Sequence, residues 1–301
     1  MSLRPYSTHA EATVMTRSFL FVPADSPRKL EKSLSTDADA LIFDLEDAVA
    51  LDRKVAGRKC LVAFLAGLGR QDFQRIYVRI NDLDSGHALE DLKVVLPFAP
   101  HGYVLPKCRG AQDVQRLSLY LDAFETAHGQ TVGRSRIIAI ATESAQSVFG
   151  LSSYSKSCPR LAGLMWGAED LGADIGSQLA RQNSGFTAPF QLARSLCLMA
   201  AASAGVQAID AVLSDLHDQT ALADECVAAF RDGFTAKAAI HPAQLEVINR
   251  ALVFSDKDIA WAKQVVEAFS AGVGVAQLNG QMLDRPHLRR AETILLQHSM
   301  L

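Results

Sequence analysis

Long apolar runs are missing from this 301-residue chain. None could span a bilayer, which argues against an embedded protein. An excess of charge of one sign is missing too: 30 Lys and Arg stand against 33 Asp and Glu, a net of −3. That leaves no electrostatic case for nucleic acid or a membrane surface as partner. Cysteine is sparse. Cys60, Cys108, Cys158, Cys197 and Cys226 are odd in number and form no C-x-x-C pair. They suggest buried free thiols in a reducing cytoplasm and argue against a disulfide framework or a zinc site. The opening "MSLRPYSTHAEATVMTR" lacks the apolar core of a signal peptide, and residues 1–16 read as a flexible leader. No low-complexity tract or short repeat interrupts the rest. What remains is ordinary, 49% hydrophobic and 21% charged, enough for one large domain or two small ones.

Short apolar runs recur down the chain: "RSFLFVP", "ALIFDLE", "RIYVRIN", "GYVLPK", "RIIAIATE", "LAGLMWG", "QAIDAVL" and "FTAKAAIH". Near-continuous apolar runs suit parallel strands buried on both faces. Amphipathic helical text separates most of them. "SPRKLEKSLS" places Ser26 as N-cap and Pro27 at the first helical position, and "ADECVAAFRDG" stops at Gly233. Strand and helix alternate eight times, which predicts a (β/α)8 TIM barrel over residues 17–256. An open doubly wound sheet is the competing fold, weakened because no G-x-G-x-x-G follows the first strand.

The predicted strand ends carry chemistry. In order they are Pro23; Asp44, Glu46 and Asp47; Arg79 and Asn81; Lys107; Glu143; Glu169 and Asp170; Asp215; and His241. Barrel enzymes build their sites at that end, so these residues should converge on one mouth. Any one acid after a strand is an ordinary helix cap. Glu143 and Asp170, ending neighbouring strands without a nearby His or Cys, are hard oxygen donors suited to Mg²⁺, with Mn²⁺ as a substitute. Capping of the next helices would explain them equally. Arg79 offers a two-toothed clamp for a carboxylate or an enolate oxygen, or a salt bridge to the Asp44/Glu46 cluster. Lys107 reads as electrostatic or structural rather than a Schiff-base lysine. His241, before Pro242, reads as fixing its loop.

These motifs resemble the citrate lyase β-subunit-like branch of the HpcH/HpaI aldolase family. "FVPADSPRKLEKS", "DADALIFDLEDAV", "VRIN", "VLPK", "ATESAQSVF", "WGAEDLGADIG", "AGVQAIDAV" and "KAAIHPAQ" carry the resemblance in order over roughly residues 17 to 256. It implies a barrel of the phosphoenolpyruvate/pyruvate superfamily. It also implies Mg²⁺ on Glu143 and Asp170, Arg79 at the reacting carbonyl, and Glu46 and Asp47 holding metal-bound water. Glu169 would orient the metal's surroundings and Asp174 would stabilise or cap. One departure is Ala24, where many relatives read "VPG"; a turn can still form without glycine.

Family members make or break a carbon–carbon bond beside a hydroxyl. The tail "NGQMLDRPHLRRAETIL" resembles the C-terminal lid of CoA-dependent lyases, which reaches a neighbouring subunit's mouth. Residues 257–301 are accordingly expected to form a helical lid, with a hinge near Gly272 and Gly274 and further freedom at Gly280. Citrate lyase β-subunits generally lack a complete lid, so the resemblance favours a stand-alone lyase. It would cleave a malyl-CoA or citramalyl-CoA type thioester to acetyl-CoA plus glyoxylate or pyruvate. Asp284 would be donated to the adjacent protomer of a homo-oligomer, a trimer or dimer of trimers. Arg28 and Lys32 on the first helix are candidates for the CoA phosphates, against a merely solvated helix face. A citrate lyase β-subunit acting on a citryl thioester, a thioesterase or malate-synthase-like outcome, and a non-catalytic CoA-ester-binding barrel remain the alternatives.

Overall fold

The computed structural model describes residues 16–155, 158–182, 185–270 and 274–299. Residues 1–15 of the expected leader and the hinge glycine Gly272 lie outside them. Two compact units are distinguished, one over Arg17–Ala251 and one from Leu252 onward.

The first unit is a closed barrel of eight parallel strands. They are β1 (Ser18–Pro23), β2 (Ala40–Asp44), β3 (Ile76–Arg79), β4 (Gly102–Leu105), β5 (Arg136–Ile140), β6 (Leu161–Met165), β7 (Gln207–Asp210) and β8 (Ala236–Ala239). Each pairs with its sequence neighbour, and β8 closes onto β1 through Ser18↔Lys237 and Leu20↔Ala239. Helices follow the strands: α1 (Pro27–Ser33), α2 (Lys54–Leu65), α3 (Ala88–Val95), α4 (Ala111–Ala127), α5 (Ala145–Gly150), α6 (Glu169–Asp174), α7 (Ala188–Ala204), α8 (Gln219–Asp232) and α9 (Leu245–Ala251). A two-residue antiparallel ribbon, Arg181–Gln182 with Gly185–Phe186, lies between α6 and α7.

Burial on both faces explains the strand text. All of β2 is buried. Alternate residues such as Phe19, Ile42, Val104, Ile138, Met165 and Ile209 form one cluster, with every strand contributing, as a barrel interior requires. The other face meets the helices: Phe43 of β2 packs edge-on against Phe64 of α2 at 5.5 Å. Ser26 takes the N-cap position of α1 with Pro27 behind it, although its hydroxyl makes no capping bond. Gly233 ends α8 with φ +116°, where a side chain would strain the backbone.

The second unit pairs α10 (Asp256–Ala268) with α11 (Arg285–His298) around Ile259, Ala262, Val265, Phe269, Ala291 and Ile294. Between them runs a hairpin, β9 (Ala276–Leu278) with β10 (Gln281–Leu283). Asn279 and Gly280 are both left-handed, at φ +50° and +79°. The "NG" dipeptide is the signal that specifies such a hairpin.

Candidate active site

The C-terminal strand ends surround a cavity of about 640 Å³ lined by Arg79, Glu143, Asp170, Trp166, Lys32 and His241 among others. Five of its lining residues are acidic (Asp44, Asp47, Glu143, Glu169, Asp170) and three are basic (Lys29, Lys32, Arg79). A divalent cation would balance that excess.

Arg79 leaves β3 and is gripped by the end of β2. Its Nε and Nη2 donate to the two oxygens of Asp44 at 2.7 and 2.5 Å, and Nη1 lies 3.1 Å from Glu46 Oε2. Its guanidinium also stacks over Phe21, 4.9 Å from the ring centre. Burial disfavours the Arg79 charge, but Asp44 and Glu46 outweigh it and hold its pKa above the ordinary value. The salt bridge to the acidic cluster is therefore real, and it fixes the guanidinium at the cavity wall rather than withdrawing it.

Lys107 ties three strand ends together. Its ammonium contacts Glu46 and lies 3.3 Å from Asp47, while its backbone N–H donates to Glu143. The residue sits in the left-handed region at φ +51°, an uncommon conformation for a side chain beyond glycine. These contacts fit the electrostatic role. Glu46 is nearly buried, and that burial raises its pKa against the opposing pull of Arg79 and Lys107. Asp47 is half exposed.

Glu143 lies three residues beyond β5, its aliphatic stem against Gly167, where an added Cβ would lie 3.2 Å from Glu143 Cγ. Burial, with the nearby Asp170 charge adding to it, pushes the Glu143 carboxyl up to about 8, while the Lys107 N–H opposes the shift. Two carboxylates sharing one site in this way are poised for a cation. Among the described residues no cluster of three or more His, Cys, Asp and Glu is arranged for a metal. Glu143 and Asp170 offer two hard oxygen donors, a set that would suit Mg²⁺ because that ion keeps several waters or substrate oxygens.

The other predicted residues separate. Lys32 lines the cavity, joined by Lys29, which the sequence reading passed over; Arg28 does not line it. Glu169 is exposed at the rim in the first turn of α6. Asp174 caps outward: its Oδ2 accepts the Ala145 N–H that opens α5, at 2.8 Å. His241 Nδ1 accepts from Ala243 N at 3.1 Å and fixes its loop. Ala24 is buried, and its N–H donates to Asp44 O at 3.0 Å with no left-handed backbone, so the departure from glycine is absorbed.

Asp215 is a correction. The seventh strand ends at Asp210, and Asp215 accepts from His217 N in a local turn. The buried acid at this strand end is Asp210, bonded to Trp166 Nε1 at 2.6 Å, Lys237 Nζ at 2.9 Å and Arg194 Nε at 3.0 Å. Burial alone would raise its pKa; Lys237 and Arg194 reverse that and lower it.

In the second unit Asp284 occupies the N-cap position of α11. His287 Nδ1 lies 2.5 Å from Asp284 Oδ1 and 3.2 Å from its backbone N.

The HpcH/HpaI aldolase/citrate lyase family model matches residues 17–242, and the chain belongs to that family. It is 34% identical to the citrate lyase subunit beta of Escherichia coli K12, covering 96% of this chain and 95% of that one. It is 30% identical to a (3S)-malyl-CoA thioesterase of Cereibacter sphaeroides, covering 93% of each. Among solved structures, protein CitE of Mycobacterium tuberculosis in complex with magnesium, acetoacetate and coenzyme A superposes with a TM-score of 0.78. That match has 32% identity and covers 94% of this chain and 98% of CitE.

Proposed function

We propose that this protein is a Mg²⁺-dependent carbon–carbon lyase. Its substrate would be a 3-hydroxyacyl-CoA thioester of the citramalyl-CoA or malyl-CoA type, cleaved to acetyl-CoA plus pyruvate or glyoxylate. The observation that carries this reading is the presence of Glu143 and Asp170 together with Arg79 in the lining of one cavity. The magnesium and coenzyme A held by the CitE relative support it.

Glu143 and Asp170 would hold Mg²⁺, which when bound supplies Lewis-acid stabilisation of charge on the substrate's hydroxyl and carboxylate oxygens. Arg79 acts beside it. Of the five N–H groups of a guanidinium, three are engaged by Asp44 and Glu46. Two remain for the oxygen that gains charge as the C2–C3 bond breaks. Glu46, Asp47 and Lys107 keep that guanidinium and the Glu143 carboxylate in register across three strand ends. The C3 hydroxyl gives up its proton as its carbon becomes the carbonyl of the 2-oxo acid, and the C2–C3 electron pair passes to the thioester as an enolate. C2 then takes a proton to become the acetyl methyl, a net transfer of one proton from the hydroxyl to C2. Asp284 delivers that proton, carried by a lid over residues 257–301 to the barrel of an adjacent protomer in a trimer or dimer of trimers. Lys32 contributes to binding the CoA phosphates. The setting is a reducing compartment such as the cytoplasm, in keeping with free cysteines throughout.

Citrate lyase β-subunit activity on a citryl thioester is the second reading. The E. coli subunit aligns over 96% of this chain, so a citrate lyase β-subunit matches most of the tail, and the tail alone does not separate the two readings. A panel of malyl-, citramalyl- and citryl-CoA, assayed with Mg²⁺ and analysed for products, tests the assignment. Acetyl-CoA plus a 2-oxo acid from malyl- or citramalyl-CoA supports it. Free CoA without a 2-oxo acid makes the protein a thioesterase.

A further inference from the structure

Lys54 opens α2 and is only 8% exposed. Its position is unfavourable on two counts. A buried ammonium loses hydration, and the N-terminal end of a helix repels positive charge. Among the described residues it forms no ion pair. Its Nζ donates instead to two backbone carbonyls, Leu45 O at 2.9 Å and Glu46 O at 2.7 Å. Burial lowers its pKa, and the fields of Glu46, Asp44, Asp91 and Asp47 oppose that shift. Nothing in the packing of α2 calls for a cation there; the acidic turn in front of it does.

The same turn is braced by a second buried group. Asn81 Nδ2 donates to Leu45 O at 3.0 Å and to Asp91 Oδ2 at 2.7 Å. Asp91, fully buried, also accepts from Asn81 N at 2.8 Å and from Arg58 Nη1 at 2.9 Å. The Leu45–Glu46 backbone is thus held from behind by Lys54 and Asn81. In front, the Asp44 and Glu46 side chains meet Arg79, and Glu46 also meets Lys107. We propose that Lys54 is a positioning residue, whose ammonium clamps the Leu45–Glu46 backbone and offsets the local negative charge so that Glu46 stays aimed between Arg79 and Lys107. This rests on the lyase reading only for its kinetic consequence.

Lys54→Met and Lys54→Gln test it, the second retaining an amide donor for the carbonyls without the charge. In crystal structures of the variants, Glu46 should leave Arg79 or Lys107. In turnover, kcat should fall about 10–100-fold with KM for the thioester little changed. The acid limb of the kcat–pH profile should move to higher pH, because losing the cation makes Glu46 harder to ionise while Asp44, Asp47 and Asp91 remain. A purely structural lysine would lower thermal stability without moving that limb. Glu46 unmoved in the crystal, or an unmoved acid limb, overturns the proposal. Failure of both variants to fold also overturns it and leaves Lys54 a stability residue. If the wild-type chain turns over no CoA thioester, the lyase reading fails separately, and the crystallographic position of Glu46 still decides the role of Lys54.

Discussion

Replacing Arg79 by lysine keeps one positive charge and removes the geometry that the proposed chemistry needs. The guanidinium reaches both oxygens of Asp44 and one of Glu46 at once and still presents two N–H groups. An ammonium has three donors radiating from one atom, so a lysine that satisfied Asp44 and Glu46 would have little left for the substrate. Losing a donor to a developing oxyanion costs about 3 kcal/mol, or ~10²–10³-fold in kcat. The fold should suffer less: Asp44 keeps a counter-charge and its bonds from Glu46 N and Ala48 N. About 1–2 kcal/mol of charged hydrogen bonding is lost, a melting shift of a few degrees. Steady-state kinetics on the variant, beside a thermal melt, separates the two effects. A kcat within about threefold of wild type would show that Arg79 only buttresses the acidic turn and that the oxygen is stabilised elsewhere.

Chelation should abolish turnover, with Mg²⁺ or Mn²⁺ restoring it, and Asp170→Asn should weaken Mg²⁺ binding at least ~10-fold by calorimetry with an unchanged circular dichroism spectrum. The metal-free protein should lose stability as pH rises. Glu143, its carboxyl raised to about 8 from an ordinary 4.5, binds more protons folded than unfolded between those values. That contribution is full below the unfolded value and gone above the folded one. Melting curves in EDTA should fall by several degrees from about pH 5 to pH 9, and Mg²⁺ should protect most at the alkaline end; a flat or rising EDTA curve would contradict the buried neutral carboxyl. Asp284→Ala and Arg79→Ala should each be nearly inactive, yet co-assembled at equal amounts they should recover activity in about one site in four, as random mixing of a shared site requires. Mixed oligomers that stay inactive would show that the site is not shared between protomers.

Much of the barrel is legible in the sequence because parallel strands buried on both faces leave compact apolar runs, and half of their ends are marked by acids. The apolar pattern misleads where it continues past the end of a strand. "QAIDAVL" reads as one strand to Leu213, but the ladder stops at Asp210. Val212 and Leu213 stay apolar because one lines the cavity and the other is buried. Nothing in the sequence signals the role of Asp210, because its partners Lys237, Arg194 and Trp166 are distant along the chain. Arg28 and Lys29 differ by one step of a helix, about 100° of rotation, and spacing alone did not show which would face the cavity. Lys54, in "LDRKVAGRKC", is indistinguishable from an exposed helical lysine until the turn it buries against is in place.

Lys107 has a consequence for anyone stabilising this protein by redesign. Its left-handed backbone, φ +51°, invites glycine, and the relief would amount to about 1 kcal/mol. A glycine would keep the main-chain N–H that meets Glu143 and discard the ammonium that meets Glu46 and Asp47. The site therefore spends conformational comfort on a side chain, and a selection for heat resistance alone would be drawn toward the substitution that disarms it.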